Sequence, residues 1–112
     1  MANLVLAAGV PHPPRLVREI EDATEPIKAE HLMLQVREYI ESASPDVIIE
    51  IDTDHFVNFF LDNMPAFCIG TAETAEGPQE IWCPMPSYTV KMDTELASDL
   101  LKFGLKSNFD LA

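Results

Sequence analysis

Positive charge is scarce in this chain of 112 residues: seven Lys and Arg residues stand against nineteen Asp and Glu residues, which gives a formal net charge of −12. The basic residues are scattered, and no patch of four or more occurs. Because nucleic acids and anionic membrane surfaces recruit proteins through clustered positive charge, we expect neither a nucleic-acid nor a membrane partner. The acidic composition instead favours solubility.

Cysteines and long apolar runs are also rare. Cys68 and Cys83 lack the C-x-x-C spacing of redox and metal motifs, and their surroundings favour free, buried thiols over a disulfide. The apolar run at residues 4–10 is too short to span a bilayer, and no basic segment precedes it. We therefore expect a cytoplasmic protein.

Several common catalytic motifs are missing from the sequence. It contains no P-loop, G-x-G-x-x-G, G-x-S-x-G or H-E-x-x-H pattern, which argues against the commonest phosphate-binding proteins, serine hydrolases and zinc proteases. The length allows at most one domain. A domain of this size can bury roughly 65% of its unfolded surface, so a hydrophobic core is expected.

The first half of the chain has the pattern of a βαβ unit. Residues 3–8 and 47–51 are short apolar runs, which predict buried strands. Residues 15–25 predict a short helix or an ordered loop, and residues 26–44 predict a longer helix with Pro26 in its first turn. One apolar stripe runs along this helix, formed by Ala29, Leu32, Met33, Val36 and Ile40. The pattern therefore favours an α/β fold.

The second half predicts further strands around one helix. Residues 66–69 and 87–90 predict short strands, and residues 71–86 predict a long loop of the kind that is often functional. Asp93 is a good N-cap for a helix that runs to about residue 107. Residues 109–112 resemble the start of another strand, so we expect the sequence to stop within a larger domain.

Two histidines directly follow predicted strands. His12 lies in the proline-rich loop after the first strand, and His55 ends the Asp-Thr-Asp-His segment after the second. In an open α/β sheet, binding sites form beyond the carboxyl ends of the strands. We expect His31 to be exposed instead, because it lies off the apolar stripe of its helix.

A converging histidine pair is compatible with three chemistries. With a carboxylate it forms the facial site of non-haem Fe(II), with waters it can hold Zn²⁺ for hydrolysis, and without a metal it can act as acid and base. Spacing leaves these alternatives open. Asp54, beside His55, is expected to orient an imidazole rather than to bind a metal directly.

The segment PDVIIEIDTDHFVNFFLDNMPAFCIG, together with the earlier GVPHPP, resembles the class III (LigB-type) extradiol ring-cleavage dioxygenases. The resemblance covers the whole chain. It implies a three-layer α/β/α domain with a mostly parallel sheet, of which residues 1–112 form the N-terminal part. It also implies that His12 and His55 bind Fe(II), and that a catecholic substrate is opened with O₂.

The resemblance is incomplete in its catalytic residues. The family's glutamate ligand and its acid/base histidine have no counterpart in this chain, and both are expected beyond Ala112. We therefore expect the isolated chain to bind Fe(II) weakly and to be inactive. The expected partners are the remainder of the domain or further copies in a homo-oligomer. The alternatives are a truncated, non-catalytic interaction or structural relative and a two-histidine zinc hydrolase.

Overall fold

The computed structural model describes residues 2–11, 13, 15–80 and 82–112. The chain divides into two compact units. One comprises the chain up to Glu50 together with Cys83–Met85, and the other comprises Ile51–Trp82 and Pro86–Ala112. The described secondary structure is mixed, with three helices and one two-stranded antiparallel sheet in this part of the chain.

Two helices form in the first unit, α1 over Leu16–Glu21 and α2 over Lys28–Ala43. The longer helix begins two residues later than Pro26, and its N-cap residue Ile27 makes no side-chain capping hydrogen bond. Its C-cap is Ser44, which adopts the left-handed conformation and donates its backbone N–H to the Ile40 carbonyl. Pro45 then prevents the helix from continuing. His31 lies on α2 and is exposed, as predicted.

The sheet of the second unit is a hairpin of β1, Thr74–Gly77, and β2, Tyr88–Lys91. The predicted strand at residues 87–90 is thus confirmed with a one-residue shift. The prediction of a loop throughout residues 71–86 is wrong, because β1 lies within it. Thr-Ala-Glu-Gly has little strand propensity, so β1 depends on its ladder with β2, where Thr74 pairs with Lys91 and Gly77 with Tyr88.

Helix α3, Thr94–Lys106, has well-formed caps at both ends. The Asp93 carboxylate accepts the Leu96 N–H at 3.0 Å, which confirms the predicted N-cap. At the other end Asn108 adopts a φ of 62°, and the Phe109 N–H donates to the Gly104 carbonyl at 3.0 Å. This is a Schellman motif, and it satisfies carbonyls that the helix end would otherwise leave without partners.

The segment after α3 pairs in parallel with an earlier segment. Phe67 and Leu111 form an isolated parallel bridge, and the N–H groups of Ile69 and Ala112 each donate a 3.0 Å hydrogen bond across it. The predicted strands at residues 66–69 and 109–112 are therefore present only as this single bridge. It is nonetheless a parallel connection that spans a helix, as expected of an α/β fold.

Residues 3–8 and 47–51 do not form the two predicted strands. Their apolar composition favours buried extended structure, but a strand also needs a neighbour to accept and donate ladder hydrogen bonds. No described segment pairs with either one. The prediction of a βαβ unit is therefore wrong for its two strands and confirmed for its helix.

The expected hydrophobic core is also absent from the described part of the chain, where no hydrophobic side chain is buried. Leu4 is 86% exposed and Ile51 is 92% exposed, both in segments predicted as buried strands. Among the described residues, the helices include none long and apolar enough to cross a membrane.

Candidate functional site

His55 lies in a loop of the second unit that one carboxylate holds in place. The Asp54 carboxylate accepts the backbone N–H groups of Val57, Asn58 and Phe59 at 3.1, 3.1 and 3.2 Å. It also accepts the Asn58 side-chain amide at 3.0 Å. Three successive N–H groups converge on one carboxylate, as at a helix N-terminus, so the chain after His55 is tightly turned. We call residues 54–59 the Asp54 loop.

The Asp54 loop requires an unusual backbone conformation next to the histidine. Phe56 has a φ of 59°, in the left-handed region that a bulky side chain rarely adopts. Such conformations persist where surrounding hydrogen bonds hold them, and they are concentrated at functional sites. In this loop, the hydrogen bonds to Asp54 begin at the residue after Phe56 and supply that constraint.

The same hydrogen bonds stabilise the ionised form of Asp54. Desolvation acts to raise the pKa of its carboxyl, but the hydrogen bonds from Asn58, Phe59 and Val57 together outweigh this effect, so that its pKa lies below the usual value. The Asp54 carboxylate accepts hydrogen bonds from residues 57–59 and so shapes the loop that carries His55. Its predicted role of orienting an imidazole stays a prediction.

The carboxylate that contacts the His55 imidazole belongs to Glu80. His55 Nδ1 lies 3.2 Å from Glu80 Oε1, and the two side chains are 30% and 29% exposed. Glu80 follows β1 by three residues, and the intervening Gln79 side chain donates a 2.6 Å hydrogen bond to the Glu76 carbonyl. Partial burial favours an ordered contact over the loose ion pairs found on exposed surfaces.

Sequence reasoning missed Glu80. It lies in the segment that was predicted to be a long functional loop, but nothing in the local pattern distinguishes it from Glu73 or Glu76 nearby. The available signal was the length of the loop. The pairing with His55 depends on how the hairpin lies against the Asp54 loop, which is a tertiary property.

The second predicted ligand, His12, lies outside the described residues. In the first unit, its neighbours Val10, Pro11 and Pro13 line a cavity of about 260 Å³ together with α2. Ala29, Leu32, Met33 and Val36 face the same cavity, so the predicted apolar stripe does pack toward the loop that contains His12. Convergence of His12 and His55 stays a prediction.

The described residues contain no cluster of three His, Cys, Asp or Glu side chains suited to holding a metal ion. Cys68 and Cys83 are both free, as predicted. The expectation that both thiols are buried is wrong, because Cys68 is exposed and Cys83 is only partly covered. Within the described part of the chain, the predicted metal ligand is the His55 imidazole.

Comparison with known proteins places these residues in a family. Residues 6–112 match the model of the catalytic LigB subunit of aromatic ring-opening dioxygenase. Three bacterial proteins, each named 2,3-dihydroxyphenylpropionate/2,3-dihydroxicinnamic acid 1,2-dioxygenase, are among the similar sequences. The Rhodococcus globerulus protein is 31% identical over 78 residues, which cover 70% of this chain and 24% of the relative.

The other two relatives show a similar level of likeness. The protein from Rhodococcus rhodochrous is 28% identical over 103 residues, covering 90% of this chain and 31% of the relative. The protein from Burkholderia vietnamiensis is 35% identical over 86 residues, covering 76% of this chain and 26% of the relative. No solved structure matches the chain significantly.

The family model thus matches residues 6–112, and the three relatives match 70–90% of this chain over 24–31% of their own length. Residues 6–112 contain both predicted histidines, the Asp54 loop and Glu80. The family match agrees with the resemblance carried by the GVPHPP and DTDHF segments. The chain belongs to the LigB family of aromatic ring-opening dioxygenases.

Proposed function

We propose that this chain contributes His12 and His55 as two ligands of the Fe(II) centre of an extradiol ring-cleavage dioxygenase. The substrate would be a catechol, and the enzyme would open its ring beside the diol with O₂. The observation that carries the proposal is the position of His55. It lies on an ordered, conformationally strained loop, with one imidazole nitrogen against a carboxylate, in a chain of the ring-opening dioxygenase family.

The chemistry of the donor set fits this metal. Imidazole is a suitable ligand for iron, and metal-bound histidines commonly donate their second ring nitrogen to a carboxylate. Because Nδ1 of His55 faces Glu80, Nε2 is the nitrogen that would bind the ion. Bound iron would hold the diol and O₂ together and pass electrons between them.

The described residues would prepare the site for this role. The Asp54 loop limits the orientations available to the His55 backbone, and Glu80 limits rotation of the imidazole. A side chain that is already ordered loses less entropy when it binds a ligand. These residues would therefore hold the His55 imidazole in the orientation that metal binding needs.

A carboxylate ligand and an acid/base histidine would come from the part of the family fold that this chain does not match in its relatives. Many large apolar side chains are exposed in the described part of the chain, and their burial against the rest of the domain would favour such an association. We propose that residues 1–112 are part of one three-layer α/β/α domain with a mostly parallel sheet. A homo-oligomer and a cytoplasmic location stay predictions.

Anaerobic Fe(II) titration of the chain and its variants tests the ligand assignment. We expect His12→Ala and His55→Ala each to weaken Fe(II) binding at least tenfold. The matched control is His31→Ala, which removes an exposed imidazole from α2 and should leave the affinity unchanged. Equal affinity in the His55→Ala variant and the parent chain would refute the assignment.

Metal identity and activity are tested separately. Metal analysis of the folded protein should find iron after anaerobic loading, whereas tight, stoichiometric zinc with no iron uptake would favour a hydrolase. Oxygen uptake with a catechol should appear only after the part of a LigB relative that this chain does not match is supplied as a second polypeptide. Under those conditions the His55→Ala variant should lack uptake and the His31→Ala control should retain it.

A further inference from the structure

We infer that Glu80 is a positioning residue for the proposed metal site, and that it selects the imidazole tautomer through which His55 binds the ion. This inference deepens the proposed function, because it takes His55 to be a metal ligand. It assigns a role to a carboxylate that the sequence motif around His55 does not include. The observation is the 3.2 Å contact between His55 Nδ1 and Glu80 Oε1.

The chemistry of the contact determines which ring nitrogen is protonated. An ionised carboxylate only accepts hydrogen bonds, so a neutral imidazole must carry its proton on Nδ1 to satisfy Glu80. The lone pair then resides on Nε2. In free neutral imidazole side chains the opposite tautomer, with the proton on Nε2, predominates. Glu80 would therefore reverse the intrinsic preference and present the nitrogen that a metal requires.

The same geometry argues against Glu80 as a metal ligand. The two imidazole nitrogens flank Cε1 and point away from each other in the ring plane, so an ion on Nε2 lies well away from a carboxylate on Nδ1. A carboxylate that holds Nδ1 cannot reach that ion. Glu80 thus differs in role from the carboxylate ligand that the proposed site still needs.

The position of Glu80 also suits this role. It lies close to β1, whose register is set by pairing with β2, and its side chain is largely covered. Hydrogen bonds also hold the two segments that meet at this contact. In the hairpin, the Gln79 side chain donates to the Glu76 carbonyl, and next to His55 the Asp54 carboxylate accepts the Val57 N–H. The contact therefore joins two ordered segments of the same unit.

Nitrogen NMR of the metal-free protein tests the inference independently of iron. At alkaline pH, the His55 nitrogen shifts should report a proton on Nδ1 in the parent chain. Glu80→Ala should move the equilibrium toward the Nε2–H tautomer. Glu80→Gln should retain much of the parent pattern, because the amide oxygen can still accept from Nδ1. Glu76→Gln removes a charge from the same hairpin and is the matched control.

Fe(II) affinity supplies the second measurement. Loss of such an outer carboxylate typically weakens metal binding about 10–100-fold, and we expect this for Glu80→Ala, a smaller loss for Glu80→Gln and none for Glu76→Gln. A purely structural role would lower thermal stability without changing the tautomer.

The outcomes separate this inference from the proposed function. If His55→Ala weakens Fe(II) binding while Glu80→Ala changes neither the tautomer nor the affinity, the inference is wrong and the proposed function stands. If Glu80→Ala shifts the tautomer but His55→Ala has no effect on Fe(II) binding, the assignment of His55 as a ligand is wrong, and with it the role of Glu80 in metal binding.

Discussion

The Asp54 loop offers a direct test of how this chain positions His55. The proposed perturbation is Asp54→Ala, alone and combined with Phe56→Gly. The first substitution removes the acceptor for three backbone N–H groups, those of Val57, Asn58 and Phe59. The second allows residue 56 to adopt its positive φ without a steric penalty.

The magnitude follows from the conformation of Phe56. A non-glycine residue in the left-handed region is disfavoured by roughly 1–2 kcal/mol, so without the hydrogen bonds to Asp54 the population of the native loop should fall by a factor of about 5–30. If only that loop conformation binds metal, the apparent Fe(II) affinity falls by up to the same factor. Phe56→Gly should restore a large part of both the native loop population and the apparent Fe(II) affinity.

Two measurements check this prediction. The one-bond Cα–Hα coupling of residue 56 reports the sign of φ, and anaerobic titration reports Fe(II) affinity. Asp62→Ala is the matched control, because it removes an exposed acidic side chain a few residues further along the chain. The reasoning is refuted if Asp54→Ala leaves the coupling of residue 56 unchanged, or if Phe56→Gly has no effect in the Asp54→Ala background.

Two further predictions concern pH and helix packing. Because the pKa of Asp54 is lowered in the folded chain, its hydrogen bonds should contribute fully above the unfolded value of about 3.9 and be lost as pH falls through the lower folded pKa. The chemical shift of the Asp54 carboxyl carbon should therefore be constant from neutral pH to about 4.5 and change only at more acidic pH, and a midpoint above 5 would contradict the assignment. Gly104→Ala should gain about 1 kcal/mol of helix propensity but lose about 1–3 kcal/mol to overpacking, because the new methyl group would overlap the Leu111 side chain. Urea unfolding followed by circular dichroism should show that Gly104→Ala lowers the free energy of unfolding by up to about 2 kcal/mol. In a Leu111→Ala background the same substitution should raise it by about 1 kcal/mol. Destabilisation in both backgrounds would show that Leu111 is not the cause.

Local sequence signals predicted the helices of this chain well. The apolar stripe of α2, the Asp93 cap of α3 and the proline after α2 all act within a few residues, so their effects are visible without a tertiary structure. The start of α2 was placed two residues too early, because Pro26 suits a first helical turn but the helix begins at Lys28.

Strands were predicted less well, because they depend on partners distant in sequence. Residues 3–8 and 47–51 have the composition of buried strands and no described neighbour with which to form a ladder. Conversely, β1 has weak strand composition and forms because β2 pairs with it. The prediction that these apolar side chains are buried was wrong for the same reason, since an apolar side chain is covered only where another segment packs against it.

The sequence alone determined the family, the candidate histidines and the region around His55 in which the chemistry should be sought. The tertiary structure decided the roles of the neighbouring carboxylates. Asp54 is adjacent to His55 in sequence, but it binds backbone N–H groups, whereas Glu80, 25 residues away, contacts the imidazole. Hydrogen-bond partners are selected by distance and direction in space, and a local sequence pattern contains neither for residues so far apart.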